Sequence, residues 1–481
     1  MEAENSWPKR LPLEIWQIVL SQTSPATTRK CLAVSRLFHD LAARIVFSTL
    51  RIQFGCWEAS YDLLDEPFEG DRGCRSCCVL LHTITDPVFA SYVKHLHIYA
   101  FADKFTTSEM CGVTKAIGTL SNLRTLRWYT NHRSCILPSD ELLEALAATA
   151  VCLREYQLPI QCLSALPALK RLPASSLCLY FPEQYSLEEE LHWPCDVYRS
   201  SFASLLEARR GSLTQLTAPN QAVWECPPHI LRGLTHLTID DVGHSSNLDL
   251  ISPHCTRLES LQIILHLDFT SELCVALAAN PAAFPHLTYL KLLSDDFVDG
   301  TRVNAVASFI RPKTKLRCLD FNGQCSTVEE LSPVLDAIRS LSDLEILGLD
   351  VGLGRFGQET IDLLRCTIPK GVTALRLGLD YDDLAAPGGY SWAELWAGLP
   401  KLTFAHIGDV ETRSVTSIPD LADAIASLRL VGHCSRFHEV YRADDGVTLG
   451  EPWSATKVQF RTVEDFGSKD WEWLMRGHFL P

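Results

Sequence analysis

Residues 316–349, LRCLDFNGQCSTVEELSPVLDAIRSLSDLEILGL, carry the pattern on which the fold turns. Leu316, Leu319 and Phe321 stand at a, a+3 and a+5, and Leu344, Leu347 and Leu349 repeat the spacing 28 residues later. The alternation in the second half of each triplet predicts a short strand with those side chains on one face. Between the triplets, VEELSPVLDAIRSL spaces its apolar residues as a helix does. Each unit therefore reads as strand, turn and helix, and it cannot bury its apolar faces alone.

Working outward, the same triplet starts at Leu234, Leu258, Leu287, Leu316, Leu344, Val372 and Leu402, at intervals of 24 to 30 residues. Earlier copies begin at Val93 and Leu123, and weaker ones at Leu153, Leu169 and Leu213. Segments 140–150, 271–280, 303–311, 328–341, 359–366 and 391–399 supply the helices, often behind an N-cap residue. This array resembles leucine-rich repeats of the long, helix-containing kind. The resemblance implies an α/β solenoid, a curved parallel sheet with outer helices. Insertions are expected at 55–76 and 180–200, strands at 427–433 and 458–463, and a cap or tail at 466–481. Trp471 and Trp473 read as cover for the final repeat.

A chain of 481 residues exceeds one ordinary core, which suits a repeat array or several domains. With 47% hydrophobic and 21% charged residues it lacks the composition of disorder. No run approaches the roughly 20 apolar residues that span a bilayer. The opening MEAENSWPKR has acids and no signal-peptide core. The expectation is a nuclear or cytoplasmic protein with no membrane partner, whose 18 cysteines are reduced and mostly buried. A formal net charge of −15 without a Lys/Arg stripe disfavours nucleic acid and is compatible with a basic protein partner.

The N-terminal stretch 11–52 reads LPLEIWQIVLSQTSPATTRKCLAVSRLFHDLAARIVFSTLRI. Leu11-Pro12 followed by Glu14 suits a helix start, and Ile15, Ile18 and Val19 share a face. Ser24-Pro25 interrupts, and Cys31, Leu32, Val34, Leu37, Phe38 and Leu41 continue the helical spacing. Leu-Pro-x-Glu-Ile and, about twenty residues on, Val-Ser-Arg-x-Phe together resemble an F-box, with Phe38 and Phe47 where many F-boxes have tryptophan. The resemblance implies a three-helix module over 1–46 that docks a Skp-type adaptor, and through it a cullin, using Leu11, Pro12, Ile15, Ile18, Val34 and Phe38. Phe47, Leu50 and Ile52 also fit the repeat triplet, so the module should run directly into a solenoid spanning 47–465.

Other motifs are set against the array. Gly352–Gly357, GLGRFG, satisfies G-x-G-x-x-G between strand-like and helix-like segments, with Asp380 at the next strand's end, and offers a nucleotide-dependent enzyme as an alternative. Neighbouring repeats make the same turn without glycines, so a permissive turn explains it. Cys74, Cys77, Cys78 and His82 form half of a zinc pattern without a partner pair, and read as a turn before a helix beginning near Val79. His95 and His97, on one strand face, fit a solvated surface better than a metal site. No esterase elbow, zincin or phosphate-loop motif is present. No metal, cofactor or catalytic residue is expected.

If the triplets face the core, the intervening positions face outward. His95, His97, Tyr99, Arg127, Tyr129, Tyr289, Lys291, Asp320, Arg376 and Phe404 then form the expected protein-substrate surface, rich in side chains that anchor interfaces. The preferred reading is the substrate-recognition subunit of an SCF-type ubiquitin ligase, itself no enzyme. The alternative is a leucine-rich-repeat scaffold acting outside a ligase.

Overall fold

The structure is a computed structural model. It describes residues 11–23, 25–54, 70–100, 107–130, 136–181, 195–241, 247–265, 271–297, 300–325, 328–352, 358–380, 392–409, 418–443, 446–454, 457–458 and 461–478. Residues 353–357 of the Gly352–Gly357 motif, most of the insertion at 55–76 and most of that at 180–200 lie outside the described residues. The chain divides into two compact units, one built on residues up to Leu213 and the other from Thr214 onward. That division falls inside the span expected to be a single solenoid.

In the first unit, three helices come first: α1 (Leu13–Ser21), α2 (Pro25–Cys31) and α3 (Arg36–Val46). They lead into β1 (Thr49–Phe54), which pairs in parallel with β2 (His95–Ala100). The sheet continues in order through β3 (Thr125–Tyr129), β4 (Glu155–Pro159) and β5 (Ser176–Tyr180), all parallel. The stretch 49–52 is thus sheet, and the helices join it without a linker. Two local expectations change. Gly70–Thr85 is one helix, so the cysteine-rich stretch is not a turn. Leu169 lies in the helix Leu166–Arg171, and the repeat there starts at Ala174, with Leu177 and Leu179 buried behind it.

The second unit contains β6 (Gln215–Pro219), β7 (His236–Asp241), β8 (Ser260–Leu265), β9 (Tyr289–Phe297) and β10 (Cys318–Gln324). It goes on through β11 (Ile346–Gly352), β12 (Ala374–Asp380), β13 (Phe404–Asp409) and β14 (Leu430–His433), every pair parallel. The triplets are its core: Leu316, Leu319, Phe321, Leu344, Leu347 and Leu349 are all fully buried. Register is locked by a recurring bond pair in which one carbonyl accepts from two successive amides of the next repeat. Arg317 O, for example, accepts from Glu345 N at 2.8 Å and Ile346 N at 3.1 Å, and Thr373 O serves Thr403 and Phe404 in the same way. The expected helices form, among them Val328–Arg339 and Gln358–Thr367. This is the leucine-rich-repeat type of α/β fold.

The parallel order ends at β14. There β15 (Arg436–Ala443) and β16 (Gly446–Leu449) add an antiparallel hairpin. None of the described residues in the expected strand at 458–463 is in a strand. Lys457 and Val458 are helical, and Thr462 starts a helical turn through a capping box in which Asp465 accepts from its backbone N–H at 3.1 Å. Helix α4 (Lys469–Met475) follows, with Ser468 as its N-cap.

Candidate functional site

The residues expected to be functional lie on two faces, each built by a different kind of element. On the N-terminal helices, Pro12 fixes the entry to α1, and its carbonyl accepts from Ile15 N at 3.1 Å. Ser35 caps α3 by accepting from Phe38 N at 3.3 Å. The inner face packs Leu20, Leu41, Ala42 and Ala43, and Trp16 meets Phe38 edge to face at 5.1 Å between ring centroids. That leaves the other face of α1 and the α2–α3 turn apolar and exposed. Leu11, Leu13, Ile15, Ile18, Val19 and Val34 are six of the thirteen exposed large apolar residues among those described. Ile18 and Val34 are 59% and 65% accessible, although both are β-branched apolar residues that folding would ordinarily bury. Single exposed apolar residues are ordinary on a protein surface, and six within one short helical stretch are not. Of the residues expected to meet an adaptor, Leu11, Pro12, Ile15, Ile18 and Val34 lie exposed, while Phe38 is half-buried against Trp16. Leu13 belongs to the same exposed set and the F-box pattern did not single it out.

In the sheet of the first unit, the outward positions are less open than strand alternation alone predicts. His97 and Tyr99 are buried, the latter stacked on Tyr129 at 5.0 Å. His95, Arg127 and Tyr129 are half-buried, and Arg127 Nε donates to Glu155 Oε1 at 2.9 Å. Among the described residues no group of three metal-ligating side chains converges.

The second unit departs further from the expected open surface. Tyr289, Lys291, Asp320, Arg376 and Phe404 all face the chain's own C-terminal segment or lie buried beside it. Phe404 stacks on Trp471 at 5.2 Å and meets Phe466 edge to face, and Tyr289 meets Trp473 at 5.5 Å. Helix α4 lies against β11 and β12, and Trp471 and Trp473 pack with a buried cluster that reaches Leu430 and Phe437 at the end of the array, so their cover extends inward from the last repeat. Asp470 is pinned by Arg317, whose Nη1 and Nη2 donate to its two oxygens at 2.9 and 2.8 Å.

Beneath this apolar seal sits a buried ion pair. Lys291 Nζ is 2.8 Å from Asp320 Oδ2, both fully buried, and it also donates to the carbonyls of Leu474 at 3.0 Å and Arg476 at 2.8 Å. His478 Nε2 reaches the same Asp320 oxygen at 2.7 Å. Gly477 makes the approach possible. Its φ of 81° suits glycine, and a Cβ there would press to 3.1 Å on Ile264 and 3.2 Å on Leu293. Burial pushes Lys291 down to about 8, with Asp320 opposing the shift. Burial and Arg376 push His478 down to about 3, so its imidazole is neutral near pH 7 and donates to Asp320. Burial opposes ionisation of Asp320, yet His478, Lys291 and Arg376 together hold its carboxyl well below the usual range.

No family model matches the chain, and no curated protein matches it. Solved structures do. The crystal structure of the Rad7 and Elc1 complex in yeast aligns at 15% identity and a TM-score of 0.44, covering 66% of this chain and 87% of that one. The leucine-rich repeat-containing protein LegL7 from Legionella pneumophila aligns at 11% identity and a TM-score of 0.31, over 87% of this chain and 98% of its own. The Leptospira interrogans leucine-rich-repeat protein LIC12759 aligns at 13% and 0.28, over 71% and 84%. No helix among the described residues is long and apolar enough to cross a membrane.

Proposed function

We propose that the chain is the substrate-recognition subunit of an SCF-type ubiquitin ligase, docking a Skp-type adaptor through α1 to α3. The observation that carries this reading is the exposed apolar face of Leu11, Leu13, Ile15, Ile18, Val19 and Val34. All six lie in the stretch 11–52 that bears the F-box pattern. Burying such a face on a partner is favourable at about 25 cal/mol per Å² of apolar surface, and at an interface only the surplus over ordering costs appears as affinity. The repeats then present a protein target, with His95, Arg127 and Tyr129 as the contacts offered by the first unit. Tyr289, Lys291, Asp320, Arg376 and Phe404 hold the C-terminal segment in this reading and leave the substrate surface. The chain supplies no chemistry of its own; ubiquitin transfer is accelerated by holding the target near the loaded carrier.

Co-purification of the tagged chain tests this. The wild type should recover an adaptor and a cullin, and Ile18→Asp with Val34→Asp should recover neither while unfolding as the wild type does. Equal recovery by the folded double variant would remove the ligase reading and leave a repeat scaffold that acts elsewhere.

A further inference from the structure

Lys94, Arg124 and Arg154 stand 30 residues apart, each one place after the leading residue of its repeat triplet. Along the chain they form no cluster. The fold brings them side by side in the first unit, because Lys94 O accepts from Arg124 N at 2.7 Å and Arg124 O accepts from Arg154 N at 2.8 Å. The strands that follow, β2, β3 and β4, run parallel with His95, Thr125 and Glu155 in register. Three cations therefore share one edge of the sheet at steps of about 4.8 Å, the distance between neighbouring strands.

Lys94 is half-buried, and Arg124 and Arg154 are exposed. Among the described residues no carboxylate lies within ion-pair distance of any of the three, and none of their side chains makes a hydrogen bond. Nearby cations are treated differently. Arg127 on the same sheet pairs with Glu155 at 2.8 Å, and Arg171 on an outer helix pairs with Glu144. In the second unit the equivalent place is held by Arg317 in one repeat and Glu345 in the next, and those two pair at 2.9 Å. Like charges opposite one another on neighbouring strands repel. A row of three brings folding no gain, and in a chain of net charge −15 it reverses the prevailing sign locally.

Length and charge select the partner. The row spans two strand steps, about 10 Å, which an extended peptide covers in three to four residues. A long polyanion such as nucleic acid would bring further phosphates against a chain of net charge −15 and be repelled beyond the row. A short acidic segment meets the three cations and little else.

We propose that Lys94, Arg124 and Arg154 are a docking row for a short acidic segment of a protein target, whose carboxylates pair with the ammonium and the two guanidinium groups. This deepens the target-binding reading of the repeats and rests on it. Fluorescence anisotropy of a labelled hexaglutamate peptide with the full chain, at about 20 mM salt where screening is weak, tests it. The wild type should bind saturably. Lys94→Ala with Arg124→Ala and Arg154→Ala should weaken binding about tenfold, the combined effect of three exposed ion pairs. Arg232→Ala with Arg257→Ala and Lys315→Ala removes the same charge from exposed positions of the second unit and should leave binding within about twofold, since those cations lie outside the row. Urea unfolding checks that the variants fold, and Arg124→Ala with Arg154→Ala decides if the triple row variant does not. The proposal is overturned if the wild type shows no saturable binding, if the folded row variant binds as the wild type does, or if the second-unit variant loses as much. It is also overturned if an oligothymidylate of six phosphates binds more tightly than the peptide, which would make the partner a nucleic acid. No adaptor enters the assay, so its failure strikes the acidic partner and leaves adaptor docking to its own test.

Discussion

The helical face of the first unit and the sheet face of the second both offer apolar side chains flanked by charge, yet they meet opposite fates. Ile15, Ile18 and Val34 stay exposed, while Phe404, Lys291 and Asp320 are sealed under the chain's own C-terminal segment. A surface that a protein covers for itself is part of its fold, and one that it leaves apolar and open is a surface for something else. The difference separates the residues that hold the molecule together from those that the proposed function assigns to a partner.

The contrast breaks most sharply at the buried pair. Lys291→Ala leaves Asp320 charged, buried and short of a partner, and should cost about 3–5 kcal/mol in urea unfolding of the full chain. A loss under 1 kcal/mol would mean that the C-terminal segment is not held as described. Trp473 packs on Tyr289 and beneath it Lys291 lies 4.8 Å from its ring centroid. Its replacement by alanine should cost about 3 kcal/mol by the same measurement.

A pH series sharpens the comparison. His478 has a folded pKa of about 3, below the ordinary 6.5, so the unfolded chain binds more protons between those values. Its contribution is fully present above pH 6.5 and is lost as pH falls towards 3. The wild type should lose about 2 kcal/mol from this group between pH 6.5 and 5, and His478→Gln should flatten that limb. An unchanged slope in the variant would exclude His478 as the source. The smallest effect belongs to the open face. Ile18→Asp with Val34→Asp should move stability by no more than about 0.5 kcal/mol, because these side chains touch little in the free chain.

Much of this was legible in the sequence. Leu344, Leu347 and Leu349 and their repeats declared the parallel sheet because a two-residue period and a regular interval leave few other folds. The exposed Ile15, Ile18 and Val34 followed from a short local pattern. The covering of the sheet did not, since it joins Tyr289 to Asp470 and Lys291 to Leu474 across more than 180 residues with no periodic signal. A triplet shows which side chains leave the core but not what waits above them. The hairpin of β15 and β16 did leave a trace, in the strand-favouring Phe437, Val440 and Tyr441 before Asp445-Gly446, a turn dipeptide between two strand-like runs.

The role of the open helical face is tested most directly by the affinity of the purified chain for a purified Skp-type adaptor. The wild type should form a one-to-one complex, and the Ile18→Asp, Val34→Asp variant, whose unfolding matches the wild type, should bind at least a hundredfold more weakly. No binding by the wild type, or equal binding by the variant, would contradict it.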